Sequence, residues 1–143
     1  MFAILSFVAG AFIAIQAGIN SQLGVMLKNS IFATVVAFIV SAFISLVGML
    51  VFSKSIPASE VVKDIPLHLW FGGVLSAIGV GLFYFLIPKM GVGPMMSMAL
   101  TGQMLMAVIA SHFGWFGMPA NPISAVKVLG VISMLLGIVL INR

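Results

Sequence analysis

Two carboxamides interrupt an otherwise apolar stretch at the start of the chain. Gln16 and Asn20 lie four residues apart in a run of Gly, Ala, Ile, Val and Phe that extends from Phe2 to Leu27. On an α-helix that spacing is about 40° of rotation, so both amides project from one face, with Gln16 near the middle of the run. In hydrocarbon an unpaired amide is costly. Such a pair therefore either bonds to a neighbouring helix or faces a cavity that admits water or a solute. The sequence leaves both options open. Ser21 and Gln22 extend the polar stretch but point elsewhere.

Other polar groups are scattered. Gln103 is the deepest polar side chain of a later run, and it faces nearly opposite to Ser97, Thr101 and His112, which share a face within about 60°. Ser and Thr can satisfy themselves on the carbonyls of the preceding turn, which makes them poorer candidates than the amides. His112 ends its run, as an interfacial residue would. Tyr84 can offer a phenol to the same cavity as Gln16 and Asn20, or it can anchor at the membrane surface. The candidate substrate contacts are therefore Gln16, Asn20, Gln103 and Tyr84. The methionines at 90, 95, 96, 98, 104 and 106 suit either an adaptable apolar pocket or lipid-facing filler.

Most catalytic chemistry is excluded. Both acids, Glu60 and Asp64, fall outside the apolar runs, so no carboxylate sits at bilayer depth to couple a proton or cation. Cysteine is absent, and no His/Asp/Glu cluster has metal-ligand spacing. No nucleophile stands beside a base, and no phosphate-binding glycine loop occurs. The chain is expected to be neither an enzyme nor a cofactor or metal binder.

The elements that carry these residues follow from composition. Of 143 residues, 63% are hydrophobic and only 6% charged, with a mean hydropathy of +1.35. A soluble domain needs about a quarter charged residues to cover its surface, so the solvent here is lipid. The fold class expected is all-α, a single transmembrane domain over 1–143 with five spans of about 20 residues. Charge, Pro and Gly place them near 2–27, 31–52, 66–87, 94–113 and 122–142. Asn29 or Ser30 is expected to cap the second span, and Pro66 to open the third. Ser53–Asp64 reads as an extramembrane loop, and 88–94 as a Gly/Pro connection that is not helical. Trp115 and Phe116 fall in an interfacial turn, and Asn121-Pro122 is the expected start of the last span.

The net charge of +4 does not signal nucleic acid, because the six cations are spread singly between the runs. With five spans, Lys54, Lys63 and Lys127 fall on one side of the membrane and Lys28, Lys89 and Arg143 on the other. Orientation normally follows an excess of Lys and Arg on the cytoplasmic side, and three against three gives none. Dual insertion is therefore expected, the alternative being that the α-amino group or the depth of Lys127 makes one orientation dominate. Lys127, more than a turn inside the last expected span, reads as a side chain reaching back to the headgroups. Rows of small residues (Gly10, Ala14, Gly18; Ala33, Ala37, Ser41, Ser45; Gly73, Ala77, Gly81) allow close helix packing. Gly130, Ser133 and Gly137 make one narrow face on the last span, suited either to a seam with a second copy or to packing within the chain.

The stretch GAFIAIQAGINSQLG (Gly10–Gly24), the Pro88-Lys89-Met90-Gly91 connection and the GVISMLLG closing helix (Gly130–Gly137) resemble the five-span, YdcZ-like branch of the drug/metabolite transporter superfamily. The resemblance covers essentially the whole chain, and its most specific part is Gln16–Asn20. It implies a multi-pass exporter of the bacterial inner membrane, occurring as dual-topology chains, oppositely oriented pairs or fused halves. A dual-topology chain would pair antiparallel with a second copy, giving ten helices related as an inverted repeat, with a small-molecule site near the midplane. The Gly-x6-Gly pattern is similar to the dimerisation helix of small multidrug-resistance exporters. Those proteins carry a glutamate in the first span where this chain has Gln16, which argues against their cation/proton antiport mechanism here. Alternatives left open are a passive channel and a non-transporting subunit of a larger complex.

Overall fold

A computed structural model describes residues 1–53 and 59–143. Every regular element in those residues is helical: α1 (Phe2–Met26), α2 (Ser30–Phe52), α3 (Ser59–Lys63), α4 (Gly72–Met90), α5 (Val92–Phe113) and α6 (Ala125–Ile141), with 3-10 turns at Leu67–Phe71 and Trp115–Gly117. Lys54, one of the six cations used in the charge balance, lies outside the described residues. The chain groups into two compact units, Met1–Lys89 and Met90–Arg143.

In the first unit, α1 ends by its own geometry. Lys28 adopts φ +52°, the left-handed conformation that reverses the chain after a helix. The Lys28 N–H then donates to Val25 O (3.0 Å) and the Asn29 N–H to Gly24 O (2.9 Å), satisfying two carbonyls of the last turn. Asn29 caps α2 as expected, its Oδ1 accepting from the Phe32 N–H at 3.0 Å. This tight reversal lays α1 and α2 side by side. At their contact Gly24 faces Ser30 and Ala33, and Ala17 and Ser21 on α1 are buried as well. A Cβ at Gly24 would stand 3.3 Å from Ser30 Cα and 3.4 Å from Ala33 Cβ, whereas one at Gly10 would meet nothing. The reversal at Lys28 brings the helices together at the Gly24 end.

The expected loop 53–64 contains the short helix α3 in its described part, with Glu60 in its first turn and Lys63 in its last. The third apolar run opens at Pro66, but its first turn is 3-10 and the α-helix proper starts at Gly72. Helix continues through Pro88 to Met90, which corrects the expectation of a non-helical connection over 88–94. Pro88 lies in the last turn, so only one intrahelical bond is forgone there. Pro94 falls in the first turn of α5, where N–H groups have no helical partner in any case. The actual break is Gly91 alone, with φ +89° and ψ 159°, a conformation open to glycine and essentially no other residue.

In the second unit, α6 begins at Ala125 rather than Pro122. Ser124 is its cap, with Oγ accepting from the Lys127 N–H at 3.3 Å. Lys127 therefore sits in the first turn, and its Nζ reaches back to the carbonyls of Asn121 (2.9 Å) and Pro122 (3.0 Å). At the other end, Asn142 Nδ2 donates to Ser97 Oγ at 2.8 Å and pins α6 to α5. The 113–117 turn stacks Phe113 on Trp115, with ring centroids 6.0 Å apart.

Phe7, Phe43 and Leu75 are 78, 63 and 71% exposed, an arrangement water would penalise and acyl chains do not. Four stretches are long and apolar enough to cross a bilayer: Phe2–Met26, Ser30–Phe52, Leu67–Met90 and Val92–Phe113. The fifth, α6, is equally apolar but has 17 residues.

Candidate functional site

Gln16 stands roughly 21 Å along α1 from Phe2 and about 15 Å from Met26, taking 1.5 Å per residue, and Asn20 is one turn further on. Across from them is α4, whose Gly81 packs on α2, an added Cβ there lying 3.5 Å from Thr34 Oγ1. Tyr84, less than a turn further along α4, reaches α1 through its side chain. Its phenol donates to Gln16 Oε1 at 2.9 Å and accepts from Asn20 Nδ2 at 3.0 Å. Asn20 Nδ2 also donates to Gln16 Oε1 at 2.9 Å, closing a three-membered ring of hydrogen bonds. Tyr84 is only 2% exposed, so it is not a surface anchor.

The gap that Tyr84 bridges remains partly open as a cavity of about 400 Å³. Its polar lining is Gln16, Asn20 and Tyr84 with Ser41 of α2 and Ser76 of α4, and its apolar wall includes Val36, Phe38 and Val80. No charged residue lines it. This size, with a lining shared about evenly between polar and apolar groups, fits a small organic molecule. A second cavity of about 340 Å³ lies toward the α1–α2 reversal, lined by Gly24, Lys28 and Asn29 and, on the α4 side, by Tyr84, Phe85 and Pro88.

Of the four candidate contacts, the structure brings three together. Gln103 lies on α5 in the other unit and is exposed there. Ser97 and Thr101 back-bond to Pro94 O and Ser97 O, both at 2.9 Å, and His112 Nδ1 accepts from the Ile123 N–H at 3.2 Å. All three are thus engaged within their own unit. In the sequence Ser41 has only a place in a small-residue packing row and Ser76 none, since serines in helices are presumed to back-bond as Ser6 and Thr34 do. Here neither hydroxyl has a partner among the described residues. Gly130, Ser133 and Gly137 form a face on α6 where added Cβ atoms at both glycines would meet nothing within 4 Å.

No group of three or more metal-ligating side chains occurs among the described residues. No curated protein and no solved structure gives a significant match to the chain. A family model, DMT_YdcZ, described as "Putative inner membrane exporter, YdcZ", matches residues 1–140. With nearly its whole length matched, the chain belongs to the YdcZ family of inner-membrane exporters, proteins of transport rather than catalysis.

Proposed function

We propose that this chain exports a small organic solute by alternating access, two copies packing antiparallel as the halves of one ten-helix transporter with Gln16, Asn20 and Tyr84 in the substrate site. The observation that carries the reading is the cavity between α1, α2 and α4. Three helices converge there, and uncommitted amide and hydroxyl groups face it near the midpoint of α1. Polar groups at such depth are retained where they meet a solute or a pathway. The even division of flanking cations supports insertion in both orientations, and an inverted pair places one such cavity in each half. The vacant face of Gly130, Ser133 and Gly137 is the seam of this pair.

The absence of native cysteine makes the seam directly testable. In an antiparallel pair centred near Ser133, a Gly130→Cys chain cross-links to a Gly137→Cys chain. In a parallel pair each cross-links to itself instead. Disulfide formation needs Cα atoms within about 7 Å, so mild oxidation of each variant alone and of the mixture separates the two. Transport is tested by substrate-dependent flux in proteoliposomes. Saturable flux lost in Asn20→Ala is the expected result, and no flux across many metabolite classes refutes the proposal.

A further inference from the structure

Every hydrogen in the Gln16–Asn20–Tyr84 ring can be accounted for. Gln16 Oε1 accepts twice, from Asn20 and from Tyr84, which uses both of its lone pairs. Asn20 Nδ2 donates twice, to Gln16 and to Tyr84, which uses both of its hydrogens. What remains is one NH2 on Gln16 and one carbonyl oxygen on Asn20. Rotating both amides by 180° together exchanges their roles but leaves the same inventory, one free NH2 and one free carbonyl. Neither group is sealed away, since no buried side-chain nitrogen or oxygen lacks a partner among the described residues. The residues lining the cavity thus offer a donor group and an acceptor one turn apart on α1. The hydroxyls of Ser41 and Ser76 stand on its other walls and are likewise uncommitted.

The charge inventory is equally restrictive. No acid or base lines the cavity; the lysines nearest in sequence are Lys89, five residues beyond Tyr84 with its Nζ 3.5 Å from the Phe85 ring centroid, and Lys28, past the end of α1. An ion entering here would leave water without a counter-charge, at a cost of several kcal/mol. An uncharged solute with an acceptor and a donor on adjacent atoms loses nothing, because it can return both bonds.

Resting on the reading of this cavity as the substrate site, we infer that it selects uncharged solutes of the carboxamide type, with Ser41 and Ser76 as specificity-determining contacts. The ligand's carbonyl accepts from the free NH2 and its own N–H donates to the free carbonyl. Its apolar part lies against Val36, Phe38 and Val80.

The test uses the full chain in lipid nanodiscs at neutral pH, titrated calorimetrically with three probes of equal size: benzamide, benzoate and benzylammonium. Benzamide is expected to bind at least about tenfold more tightly than either ion. Ser41→Ala and Ser76→Ala, which remove hydroxyls that hold nothing inside the protein, should each weaken benzamide by roughly threefold to tenfold without lowering the melting temperature. Gln16→Glu should reverse the order in favour of benzylammonium. If an ion binds as tightly as benzamide and Asn20→Ala abolishes that binding, the site stands and the uncharged class is overturned. If benzamide binding is indifferent to Asn20→Ala, Ser41→Ala and Ser76→Ala, or if no probe binds folded protein, the site reading falls and the inference falls with it.

Discussion

Removing the phenol oxygen of Tyr84 separates its two tasks, filling space and joining helices. Tyr84→Phe keeps the ring and deletes two hydrogen bonds, the one donated to Gln16 and the one accepted from Asn20. These are the side-chain bonds that tie α4 to α1 among the described residues, while Gly81 packs α4 separately on Thr34 of α2. In membrane proteins an interhelical hydrogen bond is worth on average about 0.6 kcal/mol and at most about 1.7 kcal/mol. Two of them, with the cavity's water recovering part of the loss, give an expected destabilisation of about 1–2 kcal/mol. That is roughly a five- to thirtyfold change in the folded-to-unfolded ratio. Reversible unfolding in mixed micelles, followed by tryptophan fluorescence, reads this range. A cycle with Asn20→Ala isolates the shared term, expected at about 0.6 kcal/mol or more. A Tyr84→Phe protein within about 0.3 kcal/mol of the parent, or strict additivity in the cycle, would refute the hydrogen-bonded ring as the fastening of α4.

Other perturbations probe the scaffold. Gly24→Val presses a branched side chain on the backbone of Ser30 and should cost about 1–3 kcal/mol in the same assay, whereas Gly10→Ala, in open space, should cost nothing. Gly91→Ala forces a Cβ into a conformation reserved for glycine, and a loss of about 1–3 kcal/mol or a lowered yield of folded protein is expected. Asn29→Ala removes the cap of α2 and should lower stability by about 0.5–2 kcal/mol. Alkaline phosphatase and green fluorescent protein fused to the C-terminus should both be active in cells, since the flanking cations divide evenly. Asn142→Lys should abolish one of the two signals, and a parent protein with one-sided activity would rule out dual insertion.

The helical architecture could be read from composition and breaker residues, because each apolar run needs the same length to cross lipid. Where the reading slipped, a local rule gave way to position. Pro88 reads as a helix breaker, yet it sits in the last turn of α4, where a missing N–H costs little, whereas Pro94 stands in the first turn of α5, as expected of a residue that opens the fourth span. Asn121-Pro122 had the pattern of a helix start, but Ser124 captured the cap and left Lys127 free to bind the carbonyls upstream. The i, i+4 spacing made Gln16 and Asn20 legible as a pair. Their partner was visible only as one of several candidates, because Tyr84 lies 64 residues beyond Asn20 and no local pattern encodes that distance. Ser76 was not legible as a lining residue, and Ser41 only as a small packing residue, for another reason. A serine in a helix normally satisfies itself, and only the structure reveals one that does not.

Among the described residues, Tyr84 is the single member common to the linings of both cavities in the first unit. One phenol thus serves as rivet and as partition. Trimming it to alanine would loosen α4 and merge two chambers at a stroke, so tolerance to mutation and tightness against leak are inseparable at that position. Substitutions there will trade one against the other, and only a side chain of equal reach and equal bulk can preserve both.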